Sequence, residues 1–210
     1  MRITVVDARI TFGGVDVFSD FSATFAEGTV TALVGPSGSG KSSLLAAMAG
    51  YLPLDGGAIT LSGAGGESPP IPELIAWVSQ GSNALGARTV LDNVTIAGLS
   101  QGLELAHAEE VAIAHLATVG LGRHLHHQAR TLSGGELQRV AIARALASGK
   151  PLVFADEPSA NLDADNTELL AGVFHELAAQ ATIVVATHDP VMVAGAHQVV
   201  ELRASARHGA

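Results

Sequence analysis

Cysteine is absent from the 210 residues, so neither a disulfide framework nor a thiolate metal site is available. Only two lysines occur, Lys41 and Lys150, and 20 acids against 11 Lys and Arg give a formal charge of −9. Nucleic acids are held by clusters of cations that neutralise phosphates. General nucleic-acid binding is therefore excluded, and any phosphate chemistry has to be local. Long apolar runs are also missing: residues 183–186 and 191–196 fall far short of the ~18 that span a bilayer, so this chain alone is not expected to cross a membrane. The N-terminus lacks the basic-then-apolar pattern of a secretory signal, which makes a cytosolic location the default expectation. What remains, 48% hydrophobic and 15% charged residues with 4% aromatics, is a globular composition with enough apolar surface to offset the cost of ordering. The 24 glycines follow no triplet, and the length suits one large domain or two small ones.

Hydrophobic periodicity predicts a β-rich opening, with strands at 3–6, 10–12, 15–25 and 29–34 punctuated by Gly13-Gly14 and Glu27-Gly28. A helix at 41–49 ends at Gly50. A strand at 58–61, a Gly/Ser/Pro loop at 63–72 and a strand at 74–79 follow. From Thr89 to about His127 the pattern is helical, with apolar positions at Leu105, Ala108, Val111, Ala112 and Leu116. Helix 136–147, strand 152–155, helix 163–178, strand 182–186, a short helix and a strand near 199–202 complete the chain. Such alternation implies an α/β fold with a mainly parallel sheet. The run His124-x-His126-His127 reads as a solvated loop, because no Cys, Asp or Glu accompanies it at ligand spacing. Residues 203–210 read as a frayed tail, with no appended regulatory domain expected.

Gly35-Pro36-Ser37-Gly38-Ser39-Gly40-Lys41-Ser42 satisfies G-x-x-x-x-G-K-[ST] between an apolar strand and a helix. Glycines let the backbone curl so that its N–H groups converge on phosphate oxygens, and the helix N-terminus adds its dipole. Lys41 is placed to reach the β- and γ-phosphates and Ser42 to offer a hydroxyl to Mg²⁺. Leu152-Val153-Phe154-Ala155-Asp156-Glu157 is an apolar run ending in two acids at the carboxyl edge of a predicted parallel strand, where ligands sit in open α/β sheets. Adjacent strand residues point opposite ways, so Asp156 is expected to face the Mg²⁺ and Glu157 a water poised to attack the γ-phosphate.

Leu132-Ser133-Gly134-Gly135-Glu136 enters a helix with Ser133 placed as its N-cap and Arg139 and Arg144 further along. With the helix that follows, this segment resembles the signature motif of ATP-binding cassette (ABC) ATPases. The order of motifs is similar too: Gln80 after a strand, the signature, the acid pair, Ser159-Ala160-Asn161-Leu162-Asp163, and His188 after a strand. The resemblance covers residues 2–203 and implies a P-loop NTPase fold. Its parts would be an antiparallel β subdomain and RecA-like core (1–80 and 150–203) and an inserted helical subdomain (about 86–148).

The resemblance further implies ATP and Mg²⁺ as ligands. Two copies would pack head to tail, so that Ser133, Gly134, Gly135 and Glu136 of one close on the ATP held by the phosphate loop of the other, with Asp163 coupling the sites. It assigns nucleotide contacts through Ser43, metal and water contacts to Gln80, γ-phosphate stabilisation and orientation of Glu157 to His188, and adenine stacking to Phe12, where the family often has tyrosine. The expected role is the cytosolic ATPase subunit that drives a separately encoded transmembrane permease. Residues 127–131 lack the acidic Gly-containing element typical of large fused exporters, while small size, the Asn161-Leu162-Asp163 segment and the expected bare C-terminus are similar to the lipoprotein, macrolide and small-peptide export group. Short importers, and ABC ATPases that regulate a membrane complex without transport, share these features.

Overall fold

The computed structural model describes residues 1–79, 81, 83–160 and 162–203. In chain order the elements are β1 (Arg2–Phe12), β2 (Val15–Phe25), β3 (Val30–Val34), α1 (Lys41–Met48), β4 (Gly56–Gly63), β5 (Gly66–Ser68), β6 (Ile75–Val78), α2 (Val90–Ser100) and α3 (Leu105–Thr118). There follow α4 (Gly134–Ala147), β7 (Leu152–Asp156), α5 (Ala164–Leu177), β8 (Thr182–Ala186), α6 (Pro190–Ala194) and β9 (Gln198–Glu201). They form two sheets: an antiparallel one in the order β2-β1-β4-β5 and one in the order β6-β7-β8-β3-β9, in which every pairing is parallel.

The parallel sheet is apolar on both faces, and strand alternation sorts its residues between two cores. Leu152 and Phe154 of β7 and Val184 of β8 face α1 and the antiparallel sheet, packing with Ile3, Phe18, Phe25, Leu44 and Met48. Val153 and Ala155, with Ile183 and Val185, face α2, α4 and α5 through Val94, Val140, Ile142, Val173 and Phe174. Helix α1 is thus wedged between the sheets and follows β3 directly, which places its N-terminus at the carboxyl edge of the parallel sheet. No helix among the described residues is long and apolar enough to cross a membrane.

Several boundaries differ from the sequence reading. The strands expected at 3–6 and 10–12 are one strand, β1, bulged at Asp7, which takes φ 47°. The bulge is pinned by Ser22, whose hydroxyl accepts from the Asp7 N–H and donates to its carboxylate. It presses so closely on Gly57 (φ 78°) that a Cβ there would lie 2.3 Å from the Asp7 carbonyl oxygen. The loop expected at 63–72 contains β5, whose Gly66-Glu67-Ser68 has little strand propensity and forms by pairing with Leu61–Gly63 of β4. The stretch from Thr89 to His127 is two helices, stopped after Gln101 and Val119 by Gly102 (φ 83°) and Gly120 (φ 74°). Helix α4 begins at Gly134, two residues early, because its cap is Ser133.

Phe154 is fully buried at the centre of the α1-side core. Phe154→Ala is expected to cost about 3–5 kcal/mol of stability by urea unfolding, the usual cavity cost for a buried phenylalanine. A loss below about 1 kcal/mol would contradict this packing.

Candidate active site at the carboxyl edge of the parallel sheet

Three strands end level. Leu33 of β3 and Asp156 of β7 are both in register with residue Ala186 of β8, and the segments that leave these ends supply the site. From β3 the chain enters the phosphate-loop sequence, where Ser39 N–H donates to the Pro36 carbonyl and the turn closes on α1. Gly38 and Gly40 take φ 79° and 95°, in the left-handed region that side chains disfavour. A Cβ on Gly40 would also stand 2.5 Å from Val17 of β2, and one on Gly35 would stand 2.3 Å from the Leu202 carbonyl oxygen. Glycine is therefore favoured by torsion at Gly38, required by space at Gly35 and required by both at Gly40. Lys41 folds back over the loop, donating from Nζ to the Gly35 carbonyl at 2.9 Å and the Pro36 carbonyl at 3.4 Å. The Ser39 hydroxyl is buried without a hydrogen-bond partner.

A cleft of about 360 Å³ opens over this loop, lined by Phe12, Val17, Ser37, Gly38, Gly40, Lys41, Ser42, Ser43, Asp156 and Glu157. Phe12 is half exposed, at 54%. The structure thus gathers most of the loop, the aromatic candidate and both acids around one space, while Gly35, Pro36 and Ser39 do not line it. Gln80 and Asn161 lie outside the described residues.

The two acids differ in backbone conformation. Asp156 ends β7 in regular strand geometry, whereas Glu157 lies past the strand with φ 47°, a left-handed conformation that is costly for a residue with a Cβ. The kink is held by the Glu157 N–H, which donates to the Ala186 carbonyl at 2.9 Å, and by the Glu157 carbonyl, which accepts from the Ala160 N–H. It turns the carboxylate toward His188, whose Nδ1 lies 3.0 Å from both oxygens, in hydrogen-bond geometry with Oε1. Glu157 is only 19% exposed at its side chain while His188 is 79% exposed, so the imidazole covers the acid from the solvent side. His188 is itself fixed on both flanks: Thr187 N–H donates to the Leu33 carbonyl, and Asp189 caps α6 through the Val191 and Met192 amides.

The signature-like turn is built by a capping box. Ser133 Oγ accepts from the Glu136 N–H, and Glu136 Oε2 accepts from the Ser133 N–H at 2.8 Å and from its hydroxyl at 2.9 Å. The Ser133 N–H, then its hydroxyl, hold the Glu136 carboxyl below the ordinary range, with His124 and Arg139 adding attraction. Asp163 caps α5 by accepting from the Asn166 N–H and side-chain amide, and these bonds depress its carboxyl likewise. Ser133, Gly134, Gly135, Glu136 and Asp163 are all absent from the lining of the phosphate-loop cleft. The residues singled out in the sequence thus fall into two separate sets.

Sequence reasoning missed the polar side of α4. Gln138, almost fully buried, donates to the Ser79 carbonyl at 3.0 Å, Arg144 donates to the Asn83 carbonyl at 3.1 Å, and Arg139 donates to Asn166 at 2.7 Å. Arg144 was visible only as a basic residue on a helix; its packing against a loop 61 residues away carries no local signal. The histidine run also acquires an acid: His124 Nε2 lies 3.6 Å from Glu136 Oε1, and its Nδ1 is 3.1 Å from that of His127. Among the described residues no group of three or more metal-binding side chains forms.

Comparison with known proteins gives these positions a context. The family model described as ABC transporter matches residues 18–160. A lipoprotein-releasing system ATP-binding protein of Saccharophagus degradans is 37% identical over 90% of this chain and 87% of its own length. A thiamine import ATP-binding protein of Mesorhizobium japonicum is 37% identical over 87% of this chain and 73% of its own. A macrolide export ATP-binding/permease protein of Paracoccus denitrificans is 34% identical over 90% of this chain, which spans only 30% of that relative's length. Among solved structures, a dimeric bacterial ABC transporter cassette superposes with a TM-score of 0.85 at 26% identity, covering 96% of this chain and 94% of that one.

Gly40→Ala tests the geometry of the loop directly. The added methyl meets Val17 and a disfavoured torsion together, and nucleotide affinity is expected to fall at least ~5-fold, since one such strained contact is worth about 1–3 kcal/mol. Titration with a fluorescent ATP analogue reads this out, and unchanged affinity would refute the tight approach of the loop to β2.

Proposed function

We propose that this chain, which belongs to the ABC transporter family and is an ABC ATPase, binds and hydrolyses ATP to energise a separate transmembrane permease. The observation that carries the reading is the pairing, in one cleft, of a phosphate-loop backbone with Asp156 and with a Glu157 carboxylate held 3.0 Å from His188. Glu157, fixed beyond the carboxyl edge of the sheet, is placed to take the proton of an attacking water.

In this reading Lys41 leaves the Gly35 and Pro36 carbonyls for the β- and γ-phosphates, and the amides around Gly38 and Gly40 receive the remaining oxygens. Gly35, Pro36, Ser37, Ser39 and Ser43 complete the cradle, and Phe12 stacks on the adenine face. The all-oxygen set of the Ser42 hydroxyl, the Asp156 carboxylate and the Gln80 amide suits Mg²⁺, which when bound would neutralise charge on the phosphates. Glu157 accepts the proton of the attacking water while His188 fixes the carboxylate and faces the γ-phosphate. Because the Ser133 turn and Asp163 stand outside this cleft, they are free to meet the ATP of a second copy. Head-to-tail pairing of that kind makes ATP part of the interface.

A permease partner would hold the chain on the inner face of the cell membrane. Export of peptide, lipoprotein or small hydrophobic cargo is the direction we favour, supported by the lipoprotein-releasing relative, whose length this chain nearly matches. The equally similar thiamine import relative keeps an importer subunit as the second reading. Purification with the native permease separates the two, since a substrate-binding protein on the outer face belongs to import.

Glu157→Gln is expected to keep ATP binding, lower turnover by at least ~100-fold as loss of a general base does, and accumulate an ATP-bound dimer. Phosphate release at the wild-type rate would reject Glu157 as the base. Ser133→Arg is expected to abolish hydrolysis while monomer affinity for ATP stays within about 2-fold, because a group supplied in trans contributes to a different step from binding in cis. Normal hydrolysis in that variant would sink the composite site.

A further inference from the structure

Ser133 and Asp163 cap different helices, and one polar link joins those helices close to both caps. Glu136 closes the capping box on Ser133 through Oε2. One turn further along α4, Arg139 Nη1 donates to Asn166 Oδ1 at 2.7 Å. Asn166 then donates twice to the Oδ1 of Asp163, from its backbone N–H at 2.9 Å and its side-chain amide at 2.7 Å. The Asn166 amide has a single workable orientation: reversed, its NH₂ would face the guanidinium and its oxygen the carboxylate. Arg139 Nε is buried without a hydrogen-bond partner, so the guanidinium sits between α4 and α5 at a desolvation cost that simple helix packing does not require.

We infer that Arg139 and Asn166 are positioning residues that lock the Ser133 turn to the Asp163 cap, so that both loops meet the second copy of the chain as one preorganised surface. This rests on the composite-site reading above. Neither residue lines the phosphate-loop cleft, so the relay acts on what the chain presents to its partner and leaves its own ATP site alone. Two loops that had to be ordered separately at the moment of pairing would each add an entropic cost, and the relay removes one of them.

The test uses the full chain in the Glu157→Gln background, with ATP and Mg²⁺, and measures dimerisation by sedimentation. Arg139→Met, which keeps length and loses every donor, and Asn166→Ala, at a helical position where alanine folds well, are each expected to weaken the dimer ~10-fold, the size of a single coupling of about 1.4 kcal/mol. Combining them is expected to add little, since both cut the same link. Arg139→Lys, with its charge and one donor retained, is expected to restore affinity to within ~3-fold, which a mere loss of packing volume would not allow. Binding of a fluorescent ATP analogue to the monomer stays unchanged throughout. Dimerisation equal to the parent in both Arg139→Met and Asn166→Ala overturns the inference, as does a parallel loss of monomer ATP binding. A Glu157→Gln parent that stays monomeric with ATP overturns instead the composite site on which the inference stands.

Discussion

The level ends of β3, β7 and β8 are the constraint on which the rest of this molecule depends. Their register is fixed by burial on both faces: a slip of one residue in β7 would send Leu152 and Phe154 into the core occupied by Val153 and Ala155, and the reverse. The same slip would carry Asp156 off its partner Ala186 and remove the carbonyl that anchors the Glu157 kink. Core packing and site geometry are therefore one requirement. The left-handed torsion at Glu157 is strain of the kind that persists only where the surroundings over-determine it, and here they do so through backbone bonds on both sides of the residue.

Helix α4 is the second organiser. Val140, Ile142, Ala143 and Leu146 bury one side of it against the parallel sheet and its neighbouring helices. Its polar side chains do not point to water. They take hold of backbone or amide groups at Ser79 and Asn83, in one segment, and at Asn166, in a second, both distant in sequence. A helix that begins at the Ser133 turn thus also grips both sides of the segment that contains Gln80 and the first turn of α5. A displacement of the Ser133 turn cannot leave those segments where they were without breaking bonds to half-buried groups, each costing roughly 1–3 kcal/mol if left unmade.

Much of this was legible in the sequence because certain functions demand particular backbone conformations or short local spacings. The phosphate loop announces itself through glycines at positions that must take positive φ, and the Ser133 capping box through a three-residue interval. Parallel strands showed as apolar runs bounded by turns. What was not legible depends on partners brought from afar. Glu157 was expected just beyond the strand, where it lies, but nothing in its neighbours signals a left-handed kink. Asn166 sits three residues from the Asp163 it supports, but its other bond comes from Arg139 on another helix, 27 residues away. The histidine run read as unaccompanied because the acid beside it, Glu136, is supplied by the fold. Strand β5 escaped notice since its residues pair by position, with no propensity of their own.

The scarcity of cations has a consequence for how a polyphosphate can be held. The cleft contains one lysine against Asp156 and Glu157, so its formal side-chain charge is negative, within a chain whose total is −9. An anion cannot be drawn there by side-chain charge. Attraction has to come from the convergent amides of the loop and the N-terminus of α1, fixed dipoles that act only at short range and only when the glycines hold their torsions. The acids then turn from liability to selector: two carboxylates facing a triphosphate are tolerable when a divalent cation accompanies it and repulsive when none does. On the proposed reading, a chain poor in lysine would thereby couple nucleotide binding to Mg²⁺. Geometry, with little help from net electrostatics, decides which anion is retained.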